Sequence, residues 1–538
     1  MATIVTEQEE LEHNGEVLPV LSASAKKMRI DKLLATPLPT PTSSVPGSYL
    51  WTKIAFWMCR RASSVQFRTT SSSSVELLER NGPGAMCCGW HTNGLMDPLG
   101  IFLQHPKEFV VGARHDLVTR PLLGWWTRRL AVQPVVRKAE LLRGGCTEEE
   151  AMHLNGRSLL ALSSGIAHGF GCVLFPEGTS HDKSHMIRFK TGPIRTVLAA
   201  AALAKANDLP LPKLVPVGLH FRRRELFRTD QYIEFGPAIS LKDEQIPEAM
   251  VAAVKHGGWV EPPAETVHEF RDALQEVLPP LTPHASTWAE HRALHLIAHV
   301  RARANGRVLP SWQHEVHAAR AVRDGWPNRK PASPPEPLQG ESIEVATQAA
   351  QLLDRHGLDG RDLDSSGLGL RRARVVDAPS GLVRMALFAA MLPVFLTSLG
   401  PQVALGRLLG DSTDEGLDAR TSYQFLAAFF GSLLVWPVVA ALWTGGIWWQ
   451  QETVAATFGL SSDWLTGLTG TTALSLLAVY VGCFPLFWLS GKLFAGAWDA
   501  WVDLKKAWAR VSMPSDDKAR LAECLNQLAS TEGGLQTG

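Results

Sequence analysis

Between residues 84 and about 240 the chain alternates short apolar runs with longer stretches whose apolar positions recur every three or four residues, which predicts an α/β unit. The runs 85–90, 108–113, 132–136, 171–175, 213–218 and 231–235 are the expected strands. The stretches 95–104, 120–130, 148–168 and the alanine-rich 192–206 are the expected helices. Just upstream, 49–61 offers an apolar helix ahead of Arg60 and Arg61. It is too short to span a bilayer and suits an interface or a core equally.

Past residue 380 the pattern changes to three uncharged windows, 385–406, 421–451 and 464–491. Each is long enough to cross about 30 Å of hydrocarbon at roughly 1.5 Å per residue, although Pro393, Gly400 and Pro401 interrupt the first. Arg371, Arg372, Arg374 and Arg384 precede the windows and Lys492, Lys505, Lys506 and Arg510 follow them, whereas 407–420 is acidic on balance. By the positive-inside rule both flanks belong on the cytosolic side, so the number of crossings is even: two spans plus a re-entrant or interfacial first segment. Trp448, Trp449 and Trp464 stand at window ends, as an aromatic belt does. The competing reading is a buried all-helical core.

The remaining segments complete the expected organisation. Residues 1–47 are polar and then rich in Pro, Ser and Thr, a composition expected to stay disordered. The α/β unit occupies 48–240, and 241–380, charged and punctuated by prolines, reads as a helical connector with amphipathic pieces at 264–277, 287–304 and 342–356. The membrane-embedded region is 381–493. In the last segment, 494–538, Phe494, Trp498, Trp501, Leu504 and Trp508 mark an amphipathic basic helix suited to anionic lipid.

Composition narrows the function. With 53 Lys and Arg against 52 Asp and Glu the net charge is +1, and no basic bias points to nucleic acid. Seven cysteines without a C-x-x-C pair give neither a disulfide framework nor a zinc pattern, so they read as buried apolar residues in a reducing compartment. The first twenty residues carry several acids and no long apolar core, so no cleavable signal is expected and the catalytic part belongs on the cytosolic side.

The chemistry concentrates at strand ends, where α/β sites form. His91 follows the first strand, Asn93 and Gly94 make a turn, and Asp97 opens the next helix, so the chain can fold the carboxylate back onto the imidazole. A carboxylate on one ring nitrogen fixes the tautomer and raises the basicity of the other, as general-base attack on an alcohol requires. Alone, the pair reads sooner as a capping aspartate beside a satisfied histidine than as a catalytic base. About eighty residues later Phe175, Pro176, Glu177, Gly178, Thr179 and Ser180 place an ionisable Glu and a flexible Gly directly after another strand, where backbone amides can face an anion. His181 and His185 stand four apart without a third ligand nearby, so no metal is expected. The sequence contains neither a G-x-S-x-G elbow nor a P-loop.

Taken together, these blocks resemble the glycerolipid acyltransferase family, which includes glycerol-3-phosphate and 1-acylglycerol-3-phosphate acyltransferases. His91 and Asp97 resemble its first block, 131–137 its second, ending in the basic Arg137, 175–179 its third, and 214–218 its fourth. The resemblance covers roughly 50–240. The commoner spacing leaves four residues between His and Asp; here there are five, Thr92 to Met96, as in a subgroup of bacterial members and fungal glycerol-3-phosphate or dihydroxyacetone-phosphate acyltransferases. Ser180 stands where the third block usually ends in Arg.

The resemblance implies an α/β acyltransferase domain, a central sheet flanked by helices, ahead of the helical connector and the C-terminal membrane region. It implies transfer of an acyl group from acyl-CoA, a co-substrate with no further cofactor, to glycerol 3-phosphate or lysophosphatidate at a bilayer. The membrane would be the endoplasmic reticulum of a eukaryote or the inner membrane of a bacterium. His91 would be the base and Asp97 its partner, Arg137 and Lys190 would hold phosphate, with Arg188 and Arg114 behind them, and Glu177 would position glycerol hydroxyls. Gly178 and Thr179 would line the same cradle, turn amides near Gly178 would meet developing charge, and 214–218 would shape the pocket. Arg222, Arg223 and Arg224 read as a solvated turn or as contacts for coenzyme A phosphates or lipid headgroups. A catalytically silent lipid-binding scaffold and a thioester hydrolase are the rival readings.

Overall fold

The computed structural model describes residues 12–13, 16–17, 28–73, 78–136, 141–142, 145–329, 332–372, 378–412, 417–461 and 463–535. Its sheet consists of β1 (Phe67–Ser73), β2 (Ala85–Gly89), β3 (Phe109–Arg114), β4 (Gln133–Val135), β5 (Gly171–Val173), β6 (Lys213–Phe221), β7 (Thr229–Phe235) and β8 (Ile239–Ser240). The strand order is β1-β7-β6-β2-β5-β3-β4, with β8 antiparallel on β6. Of the other neighbours only β6 and β7 run antiparallel. All six expected strands are present. The unforeseen β1 is an edge strand of sequence Phe-Arg-Thr-Thr-Ser-Ser-Ser, partly open to solvent, so it carries no continuous apolar signal. β2, buried along its whole length between two parallel neighbours, reads instead as an unbroken apolar run.

Helices α1 (Tyr49–Gln66), α2 (Met96–Gln104), α3 (Pro121–Arg129), α4 (Glu148–Ala167) and α5 (Gly192–Ala206) flank the sheet. A capping box sets the start of α4: Thr147 Oγ1 accepts from the Glu150 amide while Glu150 accepts from the Thr147 amide. In α5 Ala199 to Ala202 are fully buried, and their small side chains let the helix backbone lie close to the sheet. Cys87, Cys88 and Cys172 fill the core beneath, where burial pushes the Cys87 thiol up to about 12. The separation of about eighty residues between the two motifs disappears in space: Cys87 pairs with Val173, so β2 and β5 end side by side and deliver His91 and Phe175 to one rim.

Three expectations about the flanking segments change. Residues 28–47 are packed rather than loose: Leu33 is buried against Val136, Ala151 and Leu154, and the Thr36 and Pro37 carbonyls accept from Arg157 and Gln133. Residues 1–27 otherwise lie outside the described set, apart from a two-residue pairing of 12–13 with 16–17. The connector and the C-terminal tail form one unit: α6 (Trp288–Ala304), α7 (Trp312–Asp324), α8 (Glu341–Arg355) and the final helix, Ser515–Leu535, share a buried core that includes Leu294, Leu353, Leu525 and Leu528. The expected basic helix at 494–510 is not separate either.

Among the described residues, two helices are long and apolar enough to cross a membrane, α9 (Leu417–Trp449) over Arg420–Trp449 and α10 (Thr472–Ser512) over its 41 residues. The first uncharged window is instead broken, with Pro379–Ala390 and Leu392–Ser398 bent by 60°. The start of α9 contacts the α/β unit, where Thr421 meets Asn93, and so does the end of α10, where Arg228 pairs with Asp499 at 2.6 Å and Arg68 with Asp503 at 2.8 Å. Both helices therefore have their domain-facing ends on one side. Lys506 and Arg510 face protein acids, Asp359 and Asp362, rather than outward (α11, Ser515–Leu535, follows after Pro514).

Buried histidines give the domain an acid limit. Burial, reinforced by Lys107, lowers His105 to about 4, and burial with Arg323 and Arg329 beside it lowers His284 to about 4. A depressed histidine favours the folded state above its unfolded value near 6.5, and that advantage is lost as pH falls towards 4. Asp116 behaves oppositely: burial alone would raise it, but Arg114 and Arg120 outweigh that and hold it at about 2, so its contribution survives until well below pH 4. The detergent-solubilised protein is therefore expected to lose on the order of 1–2 kcal/mol per histidine between pH 7.5 and 5. Tm measured across that range should fall, and less steeply in His105→Leu.

Candidate active site

Past Gly89 the chain turns through Gly94, whose φ of 45° lies in the left-handed region, and enters α2. Asp97 sits in the first turn of α2, where the helix amino terminus favours an anion. Its Oδ2 reaches back to three N–H groups: His91 Nδ1 at 2.9 Å, the Thr92 amide at 2.8 Å and the Asn93 amide at 2.7 Å. Asp97 is fully buried, and its Oδ1 has no partner among the described residues. The bond to Nδ1 leaves Nε2 as the ring nitrogen available to a substrate, on a side chain that keeps 19% exposure.

Phe175, the residue two beyond β5, holds the imidazole flat. The rings lie 4.1 Å apart at 7°, stacked. Glu177 locks the two motifs together: Oε2 accepts from the His91 amide at 2.8 Å, and Oε1 accepts from His181 Nε2 at 2.7 Å and the Ile187 amide at 2.9 Å. With Glu177 fully buried and both oxygens engaged, its observed environment is a protein clasp and not an open hydroxyl site. The His181 amide donates in turn to the His91 carbonyl at 3.0 Å. His185 belongs elsewhere, with Nδ1 against the Ala285 carbonyl at 3.1 Å.

The third-block turn is built around Gly178, at φ +70°, where a Cβ would lie 2.9 Å from Lys190 Cδ and 3.2 Å from Nζ. The Lys190 stem thus covers this glycine, and its amide donates to the Pro176 carbonyl at 2.5 Å. Thr179 is half-buried, and its hydroxyl contacts the Ser180 carbonyl at 3.3 Å. The Gly178 amide donates to the Phe175 carbonyl at 3.1 Å, so it closes the turn instead of facing an anion. Arg188 Nε donates to the Glu177 carbonyl at 2.9 Å. Arg114 is bound to Asp116. Arg137 lies outside the described residues. The fourth block, 214–218, is buried inside β6 beside β2, where it supports the site from below.

The triple arginine is engaged by protein groups. Arg222 pairs with Asp230 at 2.7 Å and with Glu315, and Arg223 pairs with Asp354. Arg224 crosses the site: Nη1 donates to the Thr92 carbonyl at 3.0 Å and the His181 carbonyl at 3.3 Å, while its plane stands 5.1 Å from the Trp288 ring.

A further contribution comes from the start of α9, more than 320 residues downstream. Thr421 Oγ1 donates to Asn93 Oδ1 at 2.6 Å, and Ser422 Oγ accepts from the Leu95 amide at 2.9 Å. Asn93 and Thr421 are each 1% exposed. Just beyond them Phe425 and Phe429 pack with Met96, Leu99 and Trp126 in one buried cluster. The turn between His91 and Asp97 is therefore clamped by the first long apolar helix. No sequence signal marks Thr421 or Ser422, because their partners are set by tertiary docking.

Removing the Thr421 hydroxyl leaves a buried amide oxygen without its donor, a loss of about 1–3 kcal/mol. Thr421→Val is expected to lower turnover by roughly tenfold with KM little changed, and Thr421→Ser to restore it. Initial rates at saturating and limiting substrate check the split. Gly178→Ala, strained at its φ and clashing with Lys190, is expected to displace the Lys190 side chain and lower Tm, which thermal unfolding checks.

Residues 68–219 match the family model described as Acyltransferase. Glycerol-3-phosphate O-acyltransferase 2 of Saccharomyces cerevisiae is 29% identical over 148 residues, 27% of this chain and 18% of that protein. Glycerol-3-phosphate O-acyltransferase 1 of the same yeast is 27% identical over 136 residues, 25% of this chain and 16% of that protein. The chain thus spans under a fifth of the length of these curated relatives. Among solved structures, a 1-acyl-sn-glycerophosphate (LPA) acyltransferase from Thermotoga maritima aligns over 41% of this chain and 79% of its own, at 15% identity and a TM-score of 0.27.

Proposed function

We propose that this chain, a member of the glycerolipid acyltransferase family through residues 68–219, is a membrane-bound enzyme that transfers a fatty acyl group from acyl-CoA to the hydroxyl of glycerol 3-phosphate or 1-acylglycerol 3-phosphate. The observation that carries the reading is the His91 ring, held at Nδ1 by Asp97 and flat against Phe175, with Nε2 left for a hydroxyl proton. In the forward step the acceptor hydroxyl passes its proton to Nε2 as its oxygen adds to the thioester carbonyl. The tetrahedral species then collapses, the C–S bond breaks, and the imidazolium returns the proton to the departing coenzyme A thiolate. Asp97 stabilises the imidazolium between the two steps, and no acyl-enzyme is formed. Lys190, over the Gly178 turn, supplies positive charge for the acceptor phosphate, with Arg137 as its companion from the second block. Glu177 acts by holding His91 and the third-block turn in register, a positioning role.

The bilayer assignment is supported by the lengths of α9 and α10 and by their domain-facing ends lying on one side. With Arg371, Arg372, Arg384 and Lys492 at the flanks, that side is cytosolic. The membrane is the endoplasmic reticulum if the cell is eukaryotic and the inner membrane if it is bacterial. Two named glycerol-3-phosphate acyltransferases among the relatives favour glycerol 3-phosphate as acceptor.

Isolated membranes supplied with labelled acyl-CoA and a panel of glycerol 3-phosphate, dihydroxyacetone phosphate and 1-acylglycerol 3-phosphate test this reading. Acyl ester should appear only with acceptor, be abolished in His91→Ala, and fall by about a hundredfold or more in Asp97→Asn. Full transfer by His91→Ala, or acceptor-independent release of free fatty acid by the unmodified protein, contradicts it.

A further inference from the structure

Away from His91, a cavity of about 490 Å³ opens between residues 369–372, the last turn of α10 and the beginning of α11. Four cations line it, Arg371, Arg372, Arg510 and Lys518, and no carboxylate does. Arg510 is 8% exposed; its Nη1 donates to Asp362, yet its Nε–H is buried without a partner among the described residues. Lys518 Nζ donates to the Val511 carbonyl at 2.8 Å, an uncharged acceptor, and pairs with no carboxylate among the described residues. Arg371 and Arg372 are exposed. This excess of guanidinium forks suits a phosphate, which can accept bidentately from each.

The remainder of the wall is apolar, with Val511 and Leu521 prominent. Val511 is also the last member of an exposed face of α10 formed by Trp501, Leu504, Trp508 and Val511, spaced three or four residues apart. Trp508 is 70% exposed. The inner face of the same helix is consumed by ion pairs, Lys506 and Arg510 to Asp359 and Asp362, and Asp499 to Arg228, so this outer face is left with large apolar side chains and no cover among the described residues. A cationic cavity that runs into an apolar helix face matches a molecule with a phosphate at one end and hydrocarbon at the other.

We propose that this cavity binds the headgroup phosphate of an anionic phospholipid, with its acyl chains along the Trp501, Leu504, Trp508 and Val511 face of α10. The site is separate from the His91 centre and does not depend on the acceptor used there. Occupancy ties residues 369–372, which lead towards the broken apolar helices at 378–398, to α10 and α11, so the lipid acts as a brace between the helical unit and the membrane segments.

The full chain, solubilised in neutral detergent, is titrated with dioleoyl phosphatidate, dioleoyl phosphatidylcholine or inorganic phosphate while Tm is followed. Phosphatidate should raise Tm saturably, and phosphatidylcholine should not. In Arg371→Gln/Arg372→Gln the half-saturating phosphatidate concentration should rise on the order of tenfold or more. The control Arg307→Gln/Arg355→Gln removes the same charge from exposed positions elsewhere and should leave it unchanged. An equal Tm rise with inorganic phosphate alone would assign the cavity to a soluble phosphate and overturn the lipid proposal. Equal weakening in both double variants would reduce the effect to general surface charge and overturn it as well.

Discussion

One buried carboxylate organises the site. Asp97 is completely withdrawn from water, and an ionised carboxylate tolerates that only when hydrogen bonds replace its solvation. Three N–H donors on a single oxygen and the amino terminus of α2 provide the replacement. Each donor lies on a different residue of the His91 turn, so satisfying the charge also dictates the backbone path from His91 to Asn93 and the direction of the imidazole. The fifth intervening residue does not disturb this, because Gly94 takes the left-handed conformation that absorbs the extra length.

Everything around that turn acts to keep it in place. Glu177 fastens it to the end of β5, Arg224 fastens it to the His181 loop, and Thr421 and Ser422 fasten it to α9. The last connection makes the docking of an apolar helix part of the geometry of the base. On α10, Asp499 pairs with Arg228 of the α/β unit, and Lys506 and Arg510 pair with Asp359 and Asp362 of the helical unit, several of these groups being buried. Such pairs cost desolvation and contribute modest net stability, but a misdocked helix would leave them unpaired, which favours one register.

Much of this was readable from residues alone. β2 and β5 betray themselves as apolar runs, and the motifs that follow them meet because the parallel register brings the strand ends together. The boundaries of α4 and α5 follow from Thr147 with Glu150 and from Pro193 near the start. What stayed hidden depends on tertiary partners. β1 is polar because it is an edge. The Pro-rich segment at 35–46 is ordered by Gln133 and Arg157, which lie about 100 residues away. Glu177 reads from sequence as a substrate ligand, whereas its oxygens accept from three protein donors, and the triple arginine reads as a solvated turn because its partners Asp230, Glu315 and Asp354 are distant in sequence. Acceptor chemistry resides in details of cation placement that strand and helix periodicity does not encode.

The central claim is that Asp97 fixes the tautomer of His91. Protein labelled with ¹⁵N-histidine, compared with His91→Gln to assign the resonance, reports which ring nitrogen carries the proton above the imidazolium range. The structure predicts a protonated Nδ1 and a bare Nε2, with that preference lost in Asp97→Ala. A protonated Nε2 in the unmodified protein, or an unchanged tautomer in Asp97→Ala, would contradict the account.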